Sequence, residues 1–237
     1  MFFIKAKLRN YIDRVVADAM PKVEEKPVPD AVEILFERQG YARTLATKLP
    51  VGVDGAPIPW YTYPAIEYFN QWDARNLRVF EYGSGHSSLY WSRRGAEVWS
   101  VEHDPEWYEN MSARSAQLKG LYLRQTPEDY AAAITEPGGD FDVIIVDGVW
   151  RNACAKAALP FLRSGGAIIL DNSDWYTDVS DHLKGEGFFQ IDFNGFGPIN
   201  NYCWTTSILF PFNSSLKDRI HQPKPVGGIE ASKNDKW

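Results

Sequence analysis

A glycine turn set between two apolar runs constrains this chain more than any other stretch. Leu77, Val79 and Phe80 form a short apolar run that leads into Glu81-Tyr82-Gly83-Ser84-Gly85. Apolar residues at helical spacing follow from Ser87 to Arg94, and Ala96 to Val101 resumes a strand pattern that ends at Glu102. Strand, glycine loop, helix and strand in this order open a parallel α/β sheet that binds a nucleotide-like ligand beyond its strand ends. Gly83 and Gly85 let the loop turn sharply and let a ligand approach the backbone. Ser87 and Ser88 can cap the helix, and Glu102 stands where a carboxylate can accept both ribose hydroxyls.

Glu81 separates the two cofactor classes that use such a loop. A nicotinamide dinucleotide would lay its pyrophosphate there, and a carboxylate about 5 Å away at an effective dielectric near 20 would oppose it by roughly 3 kcal/mol. S-adenosylmethionine brings an ammonium and a sulfonium instead, so the acid becomes favourable. The third glycine of the dinucleotide fingerprint is also replaced, because Ser88 stands in its place in Gly83-x-Gly85-x-x-Ser88. These residues point to S-adenosylmethionine.

Further along, Phe141 to Val146 is a continuous apolar run ending at Asp147-Gly148, as expected of a central strand covered on both faces. Arg163-Ser-Gly165-Gly166 turns into Ala167 to Leu170, which ends at Asp171-Asn172. With Glu81-Tyr-Gly83-Ser-Gly85 and Val101-Glu102, these elements resemble, in order and spacing, the class I S-adenosylmethionine-dependent methyltransferases over roughly Tyr61 to Phe210. The resemblance implies a three-layer Rossmann-like α/β sandwich: a seven-stranded, mostly parallel sheet with an antiparallel C-terminal hairpin, here preceded by N-terminal helices. It divides the chain into an N-terminal helical and loop extension (1–60), a cofactor-binding domain (61–212) and a polar tail (213–237).

The same resemblance implies that Glu81, Gly83, Ser84, Gly85, Ser87, Ser88, Glu102, His103 and Asp147 surround the cofactor, with Thr126 or Glu128 at the adenine amino group. Thr126-Pro127-Glu128-Asp129 also has the form of a helix cap. Trp60, Tyr61 and Tyr63, ahead of the first motif, are candidate acceptor-pocket residues, with ordinary aromatic packing as the alternative. Asp147 and Asp171 end neighbouring strands, their Cα atoms about 5 Å apart, and either can take a proton from the acceptor. Trp150, Asn172, Trp175 and Tyr176 follow the same rim and can wall an aromatic or glycan-like acceptor. Similarity to the cation-dependent O-methyltransferases would place Mg²⁺ on Asp147, Asp171 and Asn172. Trp150 stands where those enzymes carry a lysine base, so no metal ligand is assigned.

The net charge of −6 and the lack of a basic run argue against a nucleic-acid partner. Cys154 and Cys203 lie in no metal or redox spacing, which fits reduced thiols in a cytoplasmic protein. No apolar run reaches the roughly 20 residues of a membrane span. Ile4 to Ala19 has an amphipathic helical pattern that suits packing on its own domain, a membrane surface or a homodimer contact. Pro21 to Pro29 reads as a linker, Ala31 to Gln39 as a short helix, and Thr44 to Pro59 as loop. Asp104-Pro105 opens a helix, Gly120 to Arg124 is a strand, and Arg151 to Leu162 and Asp174 to Leu183 are helical. Phe188 to Phe193 and Tyr202 to Phe210 form the hairpin, and the polar tail from Asn213 reads as loosely ordered. The expected activity is methyl transfer to an oxygen or nitrogen of a small molecule. A nicotinamide-dependent oxidoreductase and a catalytically silent adenosylmethionine-binding scaffold are the alternatives.

Overall fold

The computed structural model describes residues 30–228, so the stretches read as an amphipathic helix (Ile4 to Ala19) and a linker (Pro21 to Pro29) lie outside the described residues. Seven strands form one sheet: β1 (Arg78–Tyr82), β2 (Glu97–Glu102), β3 (Gly120–Leu123), β4 (Phe141–Val146), β5 (Leu162–Asp171), β6 (Phe188–Gly195) and β7 (Trp204–Pro211). Their order is β3-β2-β1-β4-β5-β7-β6. The first five pair in parallel, whereas β7 runs antiparallel between β5 and β6. This is the Rossmann-like methyltransferase arrangement, with its C-terminal hairpin.

Strand alternation divides the core into two layers. Val79, Val143, Ile145, Ile169 and Ile208 point to one face, where α3 (Tyr63–Asn70) and α4 (His86–Arg93) supply Ile66, Phe69 and Trp91. Phe80, Tyr82, Ile144, Val146, Ile168 and Leu209 point to the other. There α6 (Pro127–Ala132), α7 (Arg151–Ala158) and α8 (Thr177–Gly185) supply Tyr130, Ala155 and Leu183. Every residue of Val143–Val146 is fully buried, as the unbroken apolar run requires. Each such side chain contributes about 1.5–3 kcal/mol relative to exposure.

Several local expectations need correction. The helix read over residues 31–39 is α1 (Ala31–Glu33) followed by a π-helical turn over Ile34–Arg38. The supposed loop from Thr44 begins inside α2 (Tyr41–Thr47), started by Gly40 at φ +81°. Only Arg151–Ala158 is α-helical before a 3₁₀ turn over Leu159–Phe161. β5 starts at Leu162 rather than Ala167, with Gly165 at φ +81° in a bulge where the register against β4 shifts. The tail is ordered as far as it is described. Leu216 is 2% exposed, Ile220 bridges Trp72, and the Val226 N–H donates to Glu67. Two apolar residues and a set of backbone hydrogen bonds, among them the His221 N–H to the Gln71 carbonyl and the Asp73 N–H to the Arg219 carbonyl, dock it on the core.

Candidate functional site

β1 leads to β2 on one side of the sheet and lies against β4 on the other, and this reversal of order opens a crevice above the strand ends. The chain leaves β1 through Gly83 at φ +95°, where a Cβ would stand 2.9 Å from the Gly148 Cα. The turns after β1 and β4 therefore touch, backbone to backbone. Beyond Gly83, the Ser84 N–H and hydroxyl donate to Glu102 Oε2 at 3.3 and 3.2 Å. The other Glu102 oxygen accepts the N–H groups of His103 and Asp104 at 2.7 and 2.9 Å, with His103 Nδ1 at 2.8 Å. α5 (Pro105–Ser112), capped by Asp104, turns Trp107 back so that its indole N–H donates to the Ser84 carbonyl at 2.7 Å.

Glu81 lies beneath this loop with no exposed surface. The Ser87 and Ser88 hydroxyls donate to its two oxygens, and Ser88 Oγ also accepts the Gly85 N–H at 3.2 Å. Ser88 therefore does both jobs, its hydroxyl proton going to Glu81 and its oxygen capping the helix start at Gly85, while Ser87 serves Glu81. Burial pushes the Glu81 carboxyl up to about 8, against the pull of the two hydroxyls.

Val146 pairs with Leu170, so Asp147 and Asp171 leave adjacent strand ends. Between them lies the buried guanidinium of Arg151. It ion-pairs with Asp147 Oδ1 at 3.2 Å and donates to the carbonyls of Asp147 (3.1 Å), Gly148 (2.9 Å) and Asp171. Its Cζ sits 4.5 Å from the centroid of the Tyr176 ring. Asp171 Oδ1 accepts the Trp204 indole N–H at 3.1 Å and the Thr206 hydroxyl. Burial raises both acids above the usual carboxylate range; the Asp147 charge raises Asp171 further, and Arg151 opposes both shifts. These partners make a poor fit for Mg²⁺, because the Arg151 cation already pairs with Asp147 and the Asp171 carboxylate already accepts an indole and a hydroxyl donor. Among the described residues no group of three His, Cys, Asp or Glu side chains could hold a metal ion.

One cavity of about 650 Å³ runs over these elements, a volume in the ordinary range for small-molecule sites. It brings together Gly83, Ser84, Gly85, Ser87, Glu102 and His103 on one side. Asp147, Asp171, Trp60, Asn172 and Trp175 line it as well. Glu81 and Ser88 sit behind the loop rather than on the cavity surface. Thr126 and Glu128 are exposed and lie off the cavity, Thr126 accepting the Asp129 N–H as the cap of α6. Tyr61 and Tyr63 are core residues at 0% and 4% exposure, Tyr61 packing edge-on to Phe69. Trp150 packs edge-on against His103 and Tyr130 and does not line the cavity.

The structure adds Lys48, Pro50, His86, Trp107, Tyr202 and Trp204 to the cavity wall. Trp107 is the only one with a local signal, three residues after a helix cap that turns it toward the glycine loop. Tyr202 and Trp204 arrive through a hairpin register that neighbouring residues do not encode. Among the described residues no helix is long and apolar enough to cross a membrane.

No family model matches the sequence, and no curated protein matches it. Solved structures do. A protein from Staphylococcus aureus assigned as a caffeoyl-CoA O-methyltransferase aligns over 77% of this chain and 92% of its own, with TM-score 0.52 and 13% identity. A precorrin-6y C5,15-methyltransferase from Geobacter metallireducens aligns over 62% and 86%, with TM-score 0.48 and 14% identity. A Streptococcus mutans methyltransferase solved in complex with SAH aligns over 61% and 93%, with TM-score 0.45 and 12% identity. The chain has the class I methyltransferase fold. At such identities the likeness reaches the fold and stops there.

Proposed function

We propose that this protein is an S-adenosylmethionine-dependent methyltransferase acting on an oxygen or nitrogen of a small-molecule acceptor. The observation that carries this reading is the single cavity joining the Gly83–Gly85 loop, Glu102 and the acidic ends of β4 and β5 at the sheet's point of reversal. When bound there, the cofactor supplies a methyl group already activated on a sulfonium, so the protein's task is chiefly position. Glu102 would accept ribose hydroxyls in exchange for its present donors, and the loop N–H groups would orient the methionine end. Glu81 would gain a cationic neighbour that favours its ionised form. Asp147, with Arg151 beside it, is the candidate proton acceptor for a hydroxyl. No metal step is needed.

The acidic net charge suits a small-molecule acceptor rather than nucleic acid. An exposed, unpaired Cys203 suits a reducing, cytoplasmic setting. A homodimer is compatible with this reading. Calorimetric titration with S-adenosylmethionine, S-adenosylhomocysteine and NADH tests the proposal. Binding of the first two is expected; binding of NADH alone would hand the site to oxidoreductase chemistry.

A further inference from the structure

Three aromatic side chains on the cavity wall keep much of their surface in water: Trp175 is 59% exposed, Tyr202 46% and Trp60 44%. Leaving that much ring uncovered forgoes hydrophobic free energy and marks a place where something else lands. The Trp175 and Tyr202 centroids lie 6.3 Å apart with their planes inclined by 32°, and Tyr202 meets Trp204 at 6.0 Å. No ring fits between Trp175 and Tyr202 at that separation, so a ligand would meet this aromatic platform on the rings' exposed surfaces. Beside it the backbones of Asn172 and Asn200 are held by the Trp175 N–H and the Tyr41 hydroxyl. Their side-chain amides have no hydrogen-bond partner among the described residues. Each amide, on a residue of the same cavity wall, offers two donors and an acceptor.

These features discriminate among acceptors. A phenolic ring could stack, but its few hydroxyls would leave the amides unmatched. An amine or quaternary ammonium could also use the rings, yet it offers little to the amides and meets Lys48 on the same wall. A pyranose satisfies both, with an apolar C–H face for the rings and a girdle of hydroxyls that each donate and accept. We infer that the acceptor is a sugar, laid on Trp175 and Tyr202 and read by Asn172 and Asn200. This rests on the methyl-transfer reading above. In the step, a sugar hydroxyl oxygen forms a bond to the methyl carbon while the methyl–sulfur bond breaks and sulfur keeps its electron pair. The hydroxyl proton passes to Asp147, and the products are a methyl ether and S-adenosylhomocysteine.

Saturation-transfer NMR on the full chain tests this, with methyl glycosides of glucose, mannose, galactose and N-acetylglucosamine against catechol and choline, each with and without S-adenosylhomocysteine. Saturation should reach the ring C–H protons of at least one glycoside. Its affinity should fall roughly tenfold in Trp175→Ala and in Asn172→Ala, with calorimetric S-adenosylhomocysteine affinity unchanged. Glycoside binding equal in wild type and both variants would overturn the inference. So would Trp175-dependent binding of catechol or choline with no glycoside signal. Adenosylhomocysteine binding without any glycoside signal would leave methyl transfer standing and remove the sugar. Glycoside binding at Trp175 without adenosylhomocysteine binding would keep the platform and overturn the methyl-transfer reading.

Discussion

Glu81 is a carboxyl group sealed under a loop and held by two serine hydroxyls, so a modest change above it can decide whether it carries charge. Its folded value near 8 lies above its ordinary 4.5. Between those limits the folded protein keeps a proton that the unfolded chain has lost. This contribution to stability is therefore present in full below the ordinary value and is lost as pH rises toward 8, on the order of several kcal/mol. Asp147 and Asp171 shift in the same sense. Urea midpoints followed from about pH 5 to about pH 9 should fall with pH, and Glu81→Gln should flatten the slope. S-adenosylmethionine should bind more tightly as pH rises through the same window, since a cation favours the ionised acid; a slope preserved in Glu81→Gln would assign the effect elsewhere. Glu102→Ala should lose about 2 kcal/mol of cofactor binding, roughly thirtyfold in calorimetric affinity. Glu102→Gln keeps an acceptor oxygen and should retain part of it. The places of Glu81 near the end of β1 and of Glu102 at the end of β2 were readable from the apolar runs that lead to them. The proton on Glu81 was not, because burial belongs to the fold and not to the neighbouring residues.

The turns after β1 and β4 act as one unit, since Gly83 and Gly148 meet where any side chain would collide. Gly83→Ala would force a Cβ into that contact at a positive φ, and about 2–3 kcal/mol of stability should be lost by urea unfolding. Glycine's need for a turn is visible in sequence; its need to let a second turn through is not. Arg151 is the matching case on the next pair of strands. Replacing it by Met would leave three carbonyls and Asp147 without their buried partner. A loss of about 3–5 kcal/mol is expected by the same measurement. Trp150 was read as part of the acceptor wall because it follows Asp147. The left-handed backbone at Trp150, φ +50°, instead seats it against His103 and Tyr130. Trp150 supports the cavity residue His103 from behind rather than lining the cavity itself.

Across the whole molecule, ligand binding and folding are linked by mass action. At S-adenosylmethionine a hundredfold above its dissociation constant the native state gains about 2.7 kcal/mol. For a chain of this size the melting temperature should rise by about 5–10 °C. Chelation by EDTA should leave that rise unchanged, because Arg151 already holds the position between the strand-end acids. The parallel half of the sheet was legible as alternating apolar runs and glycine turns, and the hairpin as two strands without a helix between them. The docking of the tail and of the segment around Lys48 was not, since each depends on hydrogen bonds and buried residues meeting elements far off in sequence. The hairpin itself has a further meaning for how such a protein changes over generations. β6 and β7 are clamped in register from Phe188 with Pro211 to Gly195 with Trp204, and the loop between them carries Asn200 and Tyr202 to the cavity. Substitutions in that short connection can redraw this wall of the cavity while the glycine loop and Glu102, which come from a distant part of the chain, keep their own sequence.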